Sequence, residues 1–277
     1  MFTRDEVGAQ LAGDVGHSSR SGCDAAVVIF CRPASADARR WGWSGPAGLS
    51  GREALRQTAI SRMANLSRNR SDVVGVDVLV FQDGGEGAGV GNSDAGICSW
   101  QEQRGRSFGE RLANAVSRVF ARGYKRLVVV GTDVPHLRGS HVRIAIEMLR
   151  DRSVVVGADS GGGCYLIGLR AGAEGALRGI QWGVGRDFSG VVSAAGVLGG
   201  AGVLDDVLRD VDGVEDLRNL APTGLPRVLK KALDRVIEMS ALRADSGERG
   251  EGEKGDWVLV RIMRVMLRAV IPTGPPI

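Results

Sequence analysis

Three segments carry residues whose types and spacing suit work on a charged small molecule. In GTDVPHL (131–137), Asp133 and Pro135 follow directly on the apolar, β-branched run RLVVVG (126–131). A carboxylate behind a buried strand can bind a hard divalent cation that in turn neutralises a diphosphate; it can equally cap the turn or the helix that follows. In DVDGVED (210–216), Asp210 and Asp212 stand two residues apart, so on extended backbone they share one face and can share one cation. The alternative is a helix cap with Glu215 and Asp216 in the first turn, where the helix dipole favours acids. In DSGGGCYLIG (159–168), Gly161, Gly162 and Gly163 precede a strand. They form either a loop whose amides lie close against a ligand or an ordinary tight turn. The three histidines, His17, His136 and His141, are too scattered to suggest a histidine metal site, and none is assigned a catalytic role.

The elements that must position these groups read as strands alternating with helices. AAVVIF (25–30), VVGVDVLVF (73–81), RLVVVG, SVVVGA (153–158) and CYLIGL (164–169) are short apolar runs of the kind found in strands buried on both faces. Between them, helical periodicity covers Gly51–Leu66 and Phe108–Arg122, and Ser140 is placed to cap a helix running to about Arg150. Residues 84–96 read as a glycine-dense loop. This alternation predicts a doubly wound α/β sheet with its ligand beyond the carboxyl ends of the strands, and so at the loops after Phe30 and Val130.

Three parts are expected along the chain: a mobile leader at 1–22, one α/β domain at 23–220 and a helical extension with a charged spacer at 221–277. In the extension, 225–243 carries an apolar stripe at Leu225, Val228, Leu229, Val236 and Ile237. Farther on, Arg261, Arg264 and Arg268 recur at helical spacing among aliphatic residues of 257–272. That last segment suits either the surface of an anionic membrane or packing against the domain or a second copy in a homodimer.

Composition excludes several classes. The chain has 277 residues and a net charge of +4, and no basic run is interleaved with aromatics, so a nucleic-acid partner is not expected. The four cysteines form no C-x-x-C pair, which argues against a zinc knuckle or a disulfide framework. No apolar run reaches the roughly 20 residues of a membrane span or resembles a signal peptide, so a soluble cytoplasmic protein is expected.

Taken in order, GTDVPHL, VVVGADSGGGCYLIGL (154–169), GIQWG (179–183) and LRDVDGVEDL (208–217) resemble the bacterial radical-SAM/selenodomain-associated transferase 1 family, also described as arsenosugar-biosynthesis-type glycosyltransferases. RGRSFGERLANAVSRVFARGYKRLVVVGTDVP (104–135) resembles that family's helix leading into the aspartate strand, and the likeness runs over about residues 24–220. The resemblance implies a GT-A-like three-layer α/β/α fold with a mostly parallel sheet. It also implies a transferase using Mg2+ or Mn2+ and a nucleotide-sugar donor with a small acceptor. Asp133 and Asp212 would serve the metal, with Asp210 and Asp212 closing the site. Gly162, Gly163 and Tyr165 would form the acceptor loop, and Trp182 would either pack against a nucleotide or sugar ring or be a buried core tryptophan.

Three departures stand out. Gly161 occupies the place of a family aspartate, with Asp159 two positions earlier, and Cys164 replaces a tyrosine. The family's lysine-containing first loop is here FCRPASADARRWGW (30–43), where Arg32, Arg39 and Arg40 are either diphosphate ligands or solvated surface charges. Rival readings are a nucleotidyltransferase of the same fold acting on a nucleoside triphosphate, and a non-catalytic relative that only binds a ligand.

Overall fold

The computed structural model describes residues 23–43, 45–68, 75–84 and 98–245. The expected leader at 1–22, most of the glycine-dense loop and the arginine-striped segment at 257–272 lie outside the described residues. The described residues up to Glu238 belong to one compact unit; of the unit beyond, the described residues continue the last helix.

Seven strands form one sheet: β1 (Ala25–Cys31), β2 (Val76–Gln82), β3 (Cys98–Glu102), β4 (Arg126–Val130), β5 (Val154–Ala158), β6 (Cys164–Arg170) and β7 (Ala201–Val203). Their order is β3-β2-β1-β4-β6-β5-β7, and only β6 runs against its neighbours. The helices are α1 (Ala34–Arg40), α2 (Gly45–Arg68), α3 (Phe108–Phe120), α4 (Gly139–Met148), α5 (Asp187–Ala195), α6 (Val214–Arg218) and α7 (Arg227–Asp245).

Strand alternation explains the three layers. Odd-numbered residues of β1 and even-numbered residues of β2 (Val27, Ile29, Val78, Val80) pack with Met63 of α2 and Val142 and Ile146 of α4. Their neighbours Ala26, Val28, Leu79 and Phe81 face Leu112, Val116 and Val119 of α3 and Val191 of α5. Each large apolar side chain withdrawn from water in this way contributes about 1.5–3 kcal/mol, and the polar Asp77 of β2 is buried only with a partner, accepting from the Tyr124 hydroxyl at 2.7 Å. A third core joins Trp43, Leu55, Val211 and Leu217 to Leu229, Leu233 and Val236 of α7. Val228, expected in that stripe, points outward and is 79% exposed.

Several boundaries differ from the sequence reading. The helix expected from Gly51 begins at Gly45. The first loop contains a short helix, α1, and β3 follows the glycine-dense segment as an edge strand that the sequence reading did not foresee. Helix α4 begins at Gly139, so Ser140 sits inside its first turn; the His141 ring, whose Nδ1 accepts from the Arg138 amide at 2.9 Å, occupies the start instead. Helix α3 starts as its sequence suggests. Ser107 Oγ accepts from the Glu110 amide at 3.1 Å, and Glu110 reaches back to the Ser107 amide.

Candidate functional site

The GTDVP loop leaves β4 at the carboxyl edge of the sheet. Gly131 makes room for it, since a Cβ there would stand 2.6 Å from Asp133 Oδ1. Arg62 of α2 fixes the far side, donating to the carbonyls of Pro135 at 2.5 Å and Leu137 at 2.7 Å. The segment before α6 is tied to the same loop, because the Val211 amide donates to the Asp133 carbonyl at 2.9 Å. Val211 is fully buried, and Asp210 and Asp212 flank it. The cap alternative holds for other acids of this stretch: Glu215 and Asp216 lie in the first turn of α6, and Asp216 accepts from the Asp212 amide at 3.0 Å.

A further carboxylate enters from the glycine loop. Asp159 Oδ1 accepts from the amides of Gly161 at 2.7 Å and Gly163 at 2.8 Å. A Cβ on Gly161 would lie 3.2 Å from Asp159 Oδ1 and 3.8 Å from Asp210 Oδ1. Asp159 therefore borders the volume that a side chain at 161 would fill. Gly162 adopts φ +87° and, like Gly163, leaves no room for a Cβ, which would strike the Gly185 carbonyl or the Asp159 carboxylate.

Crowding of acids raises their proton affinity. Burial pushes Asp133 up to about 6; Arg52 opposes that rise and Asp212 adds to it. Burial likewise pushes Asp210 up to about 7, followed by Asp159, Asp212 and Asp133. Among the described residues, no three acidic, histidine or cysteine side chains converge closely enough to hold a metal ion by themselves.

Beside Asp133 opens a pocket of about 90 Å³, lined among others by Arg32, Asp37, Trp41, Phe108, Arg111 and Asp133. That volume suits one ring or one phosphate rather than a whole nucleotide-sugar, since full ligand pockets run to roughly 300 Å³ or more. Arg32 Nε and Arg111 Nη2 stand 3.8 and 3.5 Å from Asp83 Oδ2. Gln103 is buried and committed to the fold, donating to the carbonyls of Cys31 and Phe81. Phe30, Phe108 and Trp182 form a chain of aromatic contacts, each ring 5.5 Å from the next. Cys31 also lines the pocket, and burial pushes its thiol up to about 12.

The sequence candidates divide accordingly. Asp133 and Arg32 line the pocket; Asp210 and Asp212 adjoin Asp133. Trp182 reaches the pocket only through Phe108. Arg39 and Arg40 are exposed in the last turn of α1, outside the pocket lining. Tyr165, expected in the acceptor loop, is 2% exposed, packs under Gly157 and donates from its hydroxyl to the Asp206 carbonyl at 3.1 Å. The sequence reading missed Asp37, Trp41, Arg52 and Arg111. A positional signal existed for Asp37 and Arg111, since the first turn of a helix that follows a parallel strand starts at the strand's carboxyl edge.

Among the described residues, no helix is long and apolar enough to cross a membrane. Residues 63–184 match the model of a family described as an uncharacterized protein conserved in bacteria (DUF2064), a span that includes Asp133 and the glycine loop. No protein with a curated description matches the chain. Among solved structures, a candidate nucleotide-diphospho-sugar transferase from Desulfovibrio desulfuricans G20 is 22% identical, with 78% of this chain and 98% of that one covered and a TM-score of 0.63. Rv0371c from Mycobacterium tuberculosis is 18% identical over 72% of this chain and 97% of its own, with a TM-score of 0.44. CMP:2-keto-3-deoxy-manno-octonic acid synthetase, solved with CTP, is 12% identical over 71% and 96%, with a TM-score of 0.46. The first of these likenesses shows the fold that the sequence led one to expect: a three-layer α/β/α domain built on a mostly parallel seven-stranded sheet.

Proposed function

We propose that this chain is a transferase that takes a nucleotide-sugar and moves its glycosyl group to a small acceptor, with Mg2+ or Mn2+ at the diphosphate. The observation that carries the reading is the backbone bond from Val211 to Asp133, which joins Asp210 and Asp212 to the strand-end aspartate beside a pocket walled by Arg32 and Arg111. The likeness of the GTDVPHL, SGGGCYLIGL, GIQWG and LRDVDGVEDL segments to radical-SAM/selenodomain-associated transferases directs it toward glycosyl transfer.

The donor set fits such a cation. It consists of hard carboxylate oxygens, and Mg2+ is typically held by one or two carboxylates together with waters and substrate phosphates. Asp133 and Asp212 would hold it. When bound, the cation would offset the negative charge that builds on the leaving diphosphate.

The chain's own groups would do the rest. Arg32 and Arg111 would turn from Asp83 to phosphate oxygens, a task suited to guanidinium forks. Asp210, flanking Val211 beside Asp133, would be the general base, since burial favours its taking up a proton. It would receive the proton lost by the acceptor hydroxyl as that oxygen bonds to the anomeric carbon and the bond to the diphosphate breaks.

The test is incubation with a panel of nucleotide-sugars and nucleoside triphosphates, with and without Mn2+. Release of a nucleoside diphosphate from a sugar nucleotide supports the reading. Release of pyrophosphate from a triphosphate would instead make the protein a nucleotidyltransferase, and binding without turnover would make it a ligand-binding relative.

A further inference from the structure

Arg52, in the first half of α2, is 2% exposed. Its Nη2 donates to Asp37 Oδ2 at 2.7 Å, and its guanidinium lies 3.5 Å from the centre of the Trp41 ring and 5.6 Å from that of Trp43. Nε and Nη1 are buried and have no hydrogen-bond partner among the described residues. A charge so placed is costly: an ion pair out of water recovers its desolvation only when its remaining donors are satisfied, and two here are not. Burial is the largest influence on this guanidinium. Asp37, Asp133 and Asp212 are the carboxylates that oppose it. Two of those three are the groups assigned above to the cation.

We propose that Arg52 is a positioning residue acting as an internal counter-ion to Asp133 and Asp212, so that a bare divalent cation is held weakly and enters together with the diphosphate. The inference rests on the reading that Asp133 and Asp212 serve a cation. Asp37 and Trp41, which hold the guanidinium, line the same pocket as Asp133, and Trp41 and Trp43 lie against the charge, so water screens its field poorly and its repulsion of a second positive charge reaches the site. A diphosphate reverses the balance by bringing negative charge with the cation. Arg52 thereby separates useful binding from capture of free metal, and its unspent donors are tolerated because they carry that charge.

The test measures Mn2+ uptake by the full chain, by paramagnetic resonance of free Mn2+ and by calorimetry, with Mn2+ alone and with inorganic pyrophosphate. Arg52→Gln and Arg52→Met both remove the charge, and each is expected to bind bare Mn2+ about tenfold more tightly than wild type. Arg52→Lys should stay within about twofold, and adding Asp133→Asn to either neutral variant should abolish the gain. A merely structural role cannot tighten metal binding. If both neutral variants fail to fold, Asp37→Asn, which leaves the guanidinium uncompensated, should weaken bare Mn2+ binding at least about threefold; unchanged binding there overturns the proposal. Neutral variants that fold but bind bare Mn2+ no tighter than wild type also overturn it, while wild-type uptake with pyrophosphate leaves the cation reading standing. If wild type takes up Mn2+ neither alone nor with pyrophosphate, the cation reading itself fails and the counter-ion role falls with it.

Discussion

Gly161 and Gly162 are adjacent in the chain and opposite in what they tolerate. Gly162 has φ +87° and abuts the Gly185 carbonyl, so Gly162→Ala meets both backbone strain and a collision and should cost about 1–3 kcal/mol in denaturant unfolding. Gly161 has no such φ, and its missing side chain would point between Asp159 and Asp210. Gly161→Asp should therefore fold, lose about 1 kcal/mol without metal through carboxylate repulsion, and regain it with Mn2+. A variant that unfolds, or that Mn2+ leaves unchanged, would show that the position serves the backbone alone. At this scale the sequence was legible where a residue type had one place to act. Asp133 could be found because it ends an apolar run, whereas Arg52 lies 81 positions earlier, in a helix whose pattern does not mark it. Only folding brings its charge under Trp41 and toward Asp133. Tyr165 was placed in the acceptor loop by resemblance, and the alternation of a strand does not by itself say which face carries a site.

Helix α2 and the loop after β4 form the unit that aims Asp133. Arg62 donates to two carbonyls of that loop, and bonds from a charged donor contribute about 1.5–3 kcal/mol. Arg62→Ala should lower stability by about that amount and reduce Mn2+-dependent nucleotide binding, although Arg62 lies outside the pocket lining. Calorimetry on the variant checks it: full binding with reduced stability would mean that the loop holds its shape unaided. The strands buried on both faces were legible as apolar runs, and α3 was legible from the helical spacing of its apolar residues. The edge strand β3, Cys98–Glu102, was not, because it follows glycine-rich chain and carries polar residues that only its partner β2 orders. Helix α1 was hidden similarly; ASADARR lacks an apolar stripe and is held by Asp37 and Ala38 against the rest.

Across the whole molecule, the gathered acids make stability depend on pH in an unusual direction. Asp133 and Asp210 are raised from 3.8 to about 6 and about 7, so between those limits the folded chain binds more protons than the unfolded one. The contribution of these groups to stability is therefore greatest at low pH and falls as pH rises through about 4 to 7. In metal-free buffer the melting temperature should drop between pH 5 and pH 8, and Asp210→Asn should flatten part of that slope. A variant whose curve runs parallel to wild type would remove Asp210 from the cluster's energetics. Function turns on whether these carboxylates serve a nucleotide through a cation. The most direct measurement is a thermal-shift screen of nucleotide-sugars and nucleoside diphosphates with Mn2+, run in parallel on wild type and Asp133→Asn. The expected result is a rise for one nucleotide class that requires Mn2+ and is lost in Asp133→Asn while the variant stays folded. No rise with any nucleotide, or a rise that Asp133→Asn keeps in full, would contradict it.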